Sequence, residues 1–476
     1  MTRRLLSAVL VLALVPLARA DEEGPRTHLV IDTDAGLDDL VALALALQEP
    51  TVEVEALVVT AGASGATAGA VTVGRLLDRM NRSDVVLFAG SPETASPPPF
   101  RAAAEEMLGR LLPSGAGGAA RPFDPAAAYV CGHGKTVVLV LGPLTSLASA
   151  LSGKPGIRAG IEAVVVSGGP DGWNARRDPE ALAVVRESGL PVTFVVPGEH
   201  CGKPPAWSEG PAAIAGHTIG AEVLRRLLAD EAARAHYLGP LGPFHDELAC
   251  LHCTEPGRFR KREDGAMEPA DRTGIEETVS AALRGGRLRR GPVVFARTDF
   301  PPEFLVPDVR ERRAAILAKN GEEEWFAQVL MNEIHEHLGA WSITGVKMAI
   351  RAAEILNAPP HSMEVVSLSA AGPPVSCMND GVIVGSGSTP GRGLFRHEPG
   401  PAGSTRVKFS HNGRSVILSV KPEYRGRIAS LIAGLLEEHT LEDDAYWTGV
   451  REFGLTIWQD WHRTVIFDVE EPPTPR

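Results

Sequence analysis

Positive charge is in short supply: 47 lysines and arginines stand against 59 aspartates and glutamates, a net of −12 spread along the chain. An acidic surface repels phosphate backbones, which argues against nucleic acid as a partner. Long apolar runs are missing as well. The stretch from Leu5 to Leu17 holds thirteen residues, short of the roughly 20 that span a bilayer. It follows Arg3 and Arg4 and precedes Ala18-Arg19-Ala20 and the acidic Asp21-Glu22-Glu23. Residues 1–20 therefore read as a signal peptide cleaved after Ala20, and export to the periplasm or the extracellular space is expected. No cysteine stands at the cleavage site to carry a lipid anchor, and no later segment is apolar enough to cross a membrane, so no membrane partner is expected. Cysteine is scarce, and in an exported chain five cysteines leave at least one unpaired unless a partner chain or a metal uses it. Cys250 and Cys253 flank His252, a hint of zinc or redox chemistry, but no second such pair accompanies them.

What is present belongs to a globular protein. Hydrophobic content of 44% and charged content of 22% are ordinary, and 476 residues exceed the roughly 250–300 at which single cores stop growing. Two domains follow. Short β-branched runs (His28 to Ile31, Val54 to Thr60, Thr136 to Leu141, Ala163 to Ser167, Val192 to Val196) alternate with helical segments such as Leu40 to Leu47 and Val71 to Met80. That alternation predicts an α/β domain, a mostly parallel sheet flanked by helices, over residues 26–300. Its ligands belong at the carboxyl ends of the strands. Ser96 to Phe100 and Leu112 to Ala119 read as rim loops. Residues 301–319, with Pro301-Pro302 and a basic helix-like stretch, read as a linker. Residues 320–476 then read as a smaller α+β domain: a helical segment (Glu322 to Leu356), β-type runs (Met363 to Ser369, Arg406 to Val420) and a final helical region.

The strongest chemical signal is acidic. Asp32, Asp34, Asp38 and Asp39 lie within eight residues at the end of a buried strand. Such crowding is costly without a cation, and a hard ion such as Ca²⁺ takes six to eight oxygen ligands. Gly36 would permit the sharp turn between the two aspartate pairs. An EF-hand is excluded, because its obligatory glycine and glutamate positions, counted from Asp32, hold Leu37 and Leu43. Helix capping by Asp38 or Asp39 would account for one aspartate, not four.

Asp-x-Asp-x-Gly-x-Asp-Asp after a first strand resembles the signature of the inosine-uridine nucleoside hydrolase family. Leu141-Gly142-Pro143-Leu144-Thr145-Ser146-Leu147-Ala148 is similar to that family's Gly-Pro-Leu-Thr-Asn-Leu-Ala turn. Val166-Ser167-Gly168-Gly169, then Asn174 to Ala181 with Asp178-Pro179-Glu180, and Phe244-His245-Asp246 follow in the family's order. The resemblance implies that Asp34, Asp39, the Leu141 carbonyl and Asp246 ligate Ca²⁺, with Asp32 supporting the site. It implies that Asp34 also takes a proton from the water attacking the anomeric carbon, that Asp38 and Asn174 hold ribose hydroxyls, and that His245 donates a proton to the leaving base. The family's Gly-Asn pair after the second strand is absent from Thr60 to Gly65. Gly172-Trp173-Asn174 stands where the family has Glu-Phe-Asn.

In the second domain, His335-Glu336-His337-Leu338 and Cys377-Met378-Asn379-Asp380-Gly381 precede the glycine-rich run Gly385 to Gly393. Histidines two residues apart cannot share a helix face, but can converge from a turn. Residues 320–470 resemble the E-type component of formylmethanofuran dehydrogenase, with Glu336 for the usual glycine, Ser388 for the second cysteine and Arg392 for the lysine. A redox dithiol within the domain is not expected; what remains is a metal or thiol site of His335, His337 and Cys377, with Asp380 as supporting acid and zinc as the metal. The whole reads as an exported Ca²⁺-dependent N-ribosyl hydrolase of nucleosides or related ribosides. The rivals are a non-catalytic calcium-dependent sugar-binding module, and activity residing in the C-terminal site. A homo-oligomer stays open.

Overall fold

The computed structural model describes residues 26–471 apart from 50, 93–95, 114–118, 130–133, 199–209, 212–213, 215, 240–243, 272–274, 276–277 and 280–299. The expected leader at 1–20, part of the Leu112 to Ala119 loop, Cys131 and Cys201 lie outside the described residues.

The first domain is built on β1 (Thr27–Thr33), β2 (Val52–Val59), β3 (Val86–Ala89), β4 (Arg121–Pro122), β5 (Thr136–Val140), β6 (Ile161–Ser167), β7 (Val192–Val195), β8 (Phe259–Lys261) and β9 (Met267–Pro269). They form one sheet in the order β4-β3-β2-β1-β5-β6-β7-β9-β8, parallel throughout except for the β8–β9 pair. The five strands expected from β-branched runs are all present. Successive β1 side chains enter different cores. Leu29 and Ile31 pack with helices Leu37–Gln48, Ala66–Arg79, Ile219–Ala229 and His245–Thr254, whereas Val30 packs with Val138, Val140 and helix Thr145–Gly153. Covering both faces in this way is what continuous apolar strands require. The strand order reverses between β1 and β5, a switch point where such sheets open a crevice at the carboxyl ends. The acidic run at the end of β1 and Leu141 at the end of β5 both sit there.

The second domain is a mixed α+β unit. Strands β10 (Glu364–Ser369), β11 (Phe395–His397), β12 (Thr405–His411), β13 (Arg414–Val420) and β14 (Phe467–Glu470) order as β11-β10-β12-β13-β14. The run from Arg406 to Val420 is thus a hairpin, β12 and β13 pairing antiparallel. The helical stretch expected from Glu322 to Leu356 is two helices, one ending at His335 and one over Ala340–Leu356, separated where Glu336 turns left-handed at φ 61; Gly321, at φ 83 and ψ 170, breaks the first of them from the helix that begins at Pro307. The basic stretch of residues 301–319 is largely helical and supplies Leu305, Val309 and Ile316 to this domain's core. Beneath the core lies a paired set of buried charges. Lys347 contacts Glu324, Asn320 at 3.3 Å and the Trp458 carbonyl at 3.1 Å, while Arg463 bonds Glu354 at 2.7 Å and Glu324 at 3.2 Å. Buried charges persist only when paired and hydrogen-bonded in this manner.

The second domain meets the first at the edge opposite the acidic run. Asn81, in the turn before β3, donates from its amide to the carbonyls of Leu356 (2.9 Å) and His411 (3.0 Å). Asn412 reaches Asp84 at 3.2 Å. Asn81, Asn357 and Asn412 all adopt left-handed conformations, φ 53, 48 and 47, which asparagine tolerates better than most residues. His217, before helix Ile219–Ala229, lies 4.6 Å from the His462 ring. Segments preceding parallel strands lie at the far edge from segments following them, so the Asn81 and Asp84 contacts lie away from the acidic run.

Candidate functional site

The turn after β1 is held by its own side chains. The left-handed residue is Ala35 (φ 53), not Gly36, whose φ is −74. Gly36 instead provides room, since a Cβ there would come within 2.8 Å of Asp38 and 2.9 Å of Asp39. Asp39 Oδ1 accepts from the Thr33 hydroxyl and from the Asp34 N–H at 3.2 Å, and Oδ2 accepts from the Gly36 N–H at 3.0 Å. Asp34 Oδ2 accepts the Ala63 N–H at 2.9 Å. Both Gly62 and Gly142 press against Asp34 so closely that a Cβ on either would collide with it.

Asp38, Asp39 and Asp246 each present an oxygen within 4.8 Å of the others. Among the described residues no other three His, Cys, Asp or Glu side chains bring ligand atoms this close. Asp246 comes from the first turn of helix His245–Thr254, entered through Phe244 at φ 77. Asp34 is outside that trio but adjoins it. Burial raises its carboxyl well above the usual range, and the charge of Asp39 adds to the rise. Asp39 and Asp246 are raised by burial first and then by the charge of Asp38. The donor set fits a hard cation: all oxygen, buried, and mutually repulsive without a counter-charge.

Asp32 is placed differently. Its two carboxylate oxygens accept from the Thr60 hydroxyl and from Tyr129 at 2.7 Å. Burial pushes it up to about 7 against those hydrogen bonds. It braces the turn rather than joining the trio. Leu141 donates its N–H to the Asp32 carbonyl at 2.7 Å, and its own carbonyl accepts from Asn174 Nδ2 at 2.6 Å. The turn at Thr145 is tied to the Asp178 segment by a 2.8 Å bond. His245 opens its helix, half-buried, beside Asp246.

Sequence reasoning missed several members. Tyr129 and Thr60 hold Asp32, Ser146 contacts Thr60, and Ser167 bonds Asp246. Glu247, fully buried, is pushed up to about 8 by burial, with the Tyr237 hydroxyl bonding one oxygen and no partner at the other among the described residues. Thr60, Ser146 and Ser167 lie inside stretches singled out for other residues and Tyr129 and Glu247 lie in none, so spacing alone could not have joined them.

In the second domain the turn at Glu336 brings the His335 and His337 rings to 4.3 Å. A side chain at Gly339 would press on both rings, 3.1 Å from His337 Nε2 and 3.2 Å from His335 Cδ2. His335 Nδ1 lies 2.9 Å from Asp380, and His337 Nδ1 lies 3.0 Å from the His335 carbonyl. His335 Nε2 is buried without a partner among the described residues. Cys377, half-buried with a free thiol, precedes helix Met378–Ser386, and burial followed by the Asp380 charge pushes its thiol up. Cys250 and Cys253 are likewise free thiols, and burial pushes Cys253 up to about 12, as expected of packed rather than reactive cysteines.

A family model described as inosine-uridine preferring nucleoside hydrolase matches residues 29–326. One described as FmdE, molybdenum formylmethanofuran dehydrogenase operon, matches residues 334–457. The pyrimidine-specific ribonucleoside hydrolase RihA of Shewanella sp. (strain MR-7) is 32% identical over 186 residues, 35% of this chain and 57% of that protein. RihA of Escherichia coli O81 (strain ED1a) is 31% identical over 189 residues, 35% of this chain and 58% of its own length. The chain thus spans less than two thirds of the curated relatives it matches. Among solved structures, the purine-preferring ribonucleoside hydrolase from Gardnerella vaginalis is similar over 54% of this chain and 98% of its own, at 19% identity and a TM-score of 0.43. An inosine-uridine preferring nucleoside hydrolase from Bacillus anthracis covers 54% and 99%, at 20% identity and a TM-score of 0.44.

Proposed function

The chain belongs to the family of inosine-uridine preferring nucleoside hydrolases, and from that premise we propose that it is an exported, Ca²⁺-dependent N-ribosyl hydrolase cleaving the N-glycosidic bond of nucleosides or related ribosides. The observation that carries the proposal is the convergence of Asp38, Asp39 and Asp246 beside the buried Asp34 at the sheet's switch point. By the family resemblance Asp34, Asp39, Asp246 and the Leu141 carbonyl would hold the ion, whereas the trio that converges without it contains Asp38 and leaves Asp34 alongside. When bound, Ca²⁺ supplies the positive charge that gathers these carboxylates and acidifies a water. Asp34, backed by the Ala63 N–H, accepts the proton of the water that attacks the anomeric carbon. Asp38 and Asn174 hold ribose hydroxyls, and the surrounding carboxylates favour the oxocarbenium-like transition state. His245 delivers a proton to the departing base.

A product assay on the mature protein with a panel of ribosides, with and without a calcium chelator, tests this. Asp39→Ala should abolish calcium binding in calorimetry, and Asp34→Asn should keep the fold while lowering turnover at least ~100-fold. If no riboside is cleaved with calcium present, the first domain is a binding module instead.

For the second domain we propose a zinc site of His335, His337 and Cys377 with Asp380 orienting His335; the buried Nε2 of His335, without a partner among the described residues, supports it, and it requires the side chains to close on the ion, because their ligand atoms do not lie within 4.8 Å of one another. Metal analysis of the full chain should find zinc that is lost in His337→Ala. Metal-replete, reduced protein without zinc would rule the site out.

A further inference from the structure

The histidine pair of the second domain has a neighbour that no motif singled out. Asn332 stands three positions before His335 on the helix that ends there, one turn back on the same face. Side chains of a helix lean toward its N-terminus, so the His335 ring lies over the turn that carries Asn332. Two buried acceptors share that face: Asn332 Oδ1 and His335 Nε2 each lack a partner among the described residues.

Asn332, His335 and His337 are oriented alike, each with its N–H end tied to an oxygen and a lone pair left over. Asn332 Nδ2 donates to the Gln328 carbonyl at 2.8 Å, which fixes the amide and leaves Oδ1 as the acceptor. His335 Nδ1 faces Asp380 at 2.9 Å, and His337 Nδ1 faces the His335 carbonyl at 3.0 Å. With an oxygen at each Nδ1, the neutral rings carry their protons there and keep Nε2 as a lone pair. Gly339 leaves room beside both rings, since a Cβ there would come 3.1 Å from His337 Nε2 and 3.2 Å from His335 Cδ2. Trp447 holds the His337 ring from another side, T-shaped with centroids 5.1 Å apart.

Two imidazole nitrogens and an amide oxygen, with no donor among them, are complementary to a cation. Imidazole nitrogen in particular suits a transition metal. Resting on the zinc reading of this domain, we propose that Asn332 Oδ1 is a ligand of that ion alongside Nε2 of His335 and Nε2 of His337. Cys377 then takes the remaining tetrahedral position.

The test uses the full mature chain, with zinc affinity measured by competition against a chromophoric chelator and the visible spectrum of the cobalt-substituted protein as a second readout. Asn332→Ala should weaken zinc binding about tenfold or more and alter the cobalt spectrum. Asn332→Asp keeps an oxygen in place but loses the donor to Gln328, so it should bind zinc at least as tightly as wild type. An asparagine that served only the bond to Gln328 would give the opposite result, with the aspartate variant as weak as the alanine one. Unchanged affinity and spectrum in Asn332→Ala overturn the assignment. So does an aspartate variant that binds more weakly than wild type, which decides the matter even if the alanine variant fails to fold. Wild-type protein without zinc removes the zinc reading and this ligand together; zinc lost in His337→Ala but held at full affinity in Asn332→Ala removes the ligand alone.

Discussion

The side-chain amide of Asn174 donates to the Leu141 carbonyl at 2.6 Å, joining the residue expected to hold the sugar to the backbone oxygen expected to hold the ion. Two motifs separated along the chain thus form one unit at the end of β5.

Removing the amide should separate the two tasks. Asn174→Ala deletes the proposed sugar contact but leaves the carboxylates in place. Turnover should fall roughly ten- to hundredfold, while calcium affinity changes by less than about threefold, the weight of one modest hydrogen bond. Steady-state kinetics and calcium calorimetry on the same preparation check both.

The buried carboxyls make the metal-free protein sensitive to alkali. Glu247 has its folded value raised from 4.5 to about 8, so the folded state holds a proton that the unfolded chain has already lost. Its stabilising share is present below the unfolded value and disappears as pH rises through about 8. With calcium chelated, melting temperature should decline from pH 5 to pH 8, and Glu247→Gln should flatten that decline. A melting temperature that rises across this window would show the carboxyl to be ionised in the fold.

His217 carries the opposite sign at the domain boundary. Burial lowers it from 6.5 to about 4, against the attraction of Glu354 and with repulsion from His462, Arg463 and Arg225. The folded state therefore binds its proton less readily than the unfolded chain, and stability is lost as pH falls from 6.5 through about 4. His217→Gln should reduce acid sensitivity, read as the midpoint of an acid titration followed by tryptophan fluorescence.

Asn81 bonds the first domain to the second through its side chain. It is 3% exposed and its amide serves two carbonyls of the second domain. Asn81→Gly keeps the left-handed backbone permissible while deleting the side chain. A loss of about 1–3 kcal/mol is expected from unsatisfied buried carbonyls, visible by calorimetry as a lower or split unfolding transition.

Glu336 sits at φ 61, a conformation that costs a side-chain-bearing residue roughly 1–2 kcal/mol and glycine almost nothing. Glu336→Gly should raise melting temperature or leave it level while the histidine pair stays in place. A clear drop would mean that the glutamate side chain holds the turn.

Much of the fold was legible in order along the chain. Continuous apolar runs such as Leu29 to Ile31 can only be strands covered on both faces, and their alternation with helical segments dictates parallel pairing. Four aspartates in eight residues likewise announced a charged centre, because a cap explains one aspartate and like charges so crowded need a counter-charge. What pattern could not supply is whatever depends on which distant segments meet. Asp32 and Asp34 are two residues apart with the same chemistry, yet Tyr129 and Thr60 cap one with hydroxyls while Gly62 and Gly142 leave the other against the cluster. The contact of Arg101 with Gly62 and of Phe100 with Trp173, the docking of Asn81 under Leu356, and the unpaired oxygen of Glu247 are all long-range. Local sequence determines helix, strand and turn because those are short-range energies. The partners of a buried polar atom are settled only when the sheet order and the packing of its two faces bring the segments together.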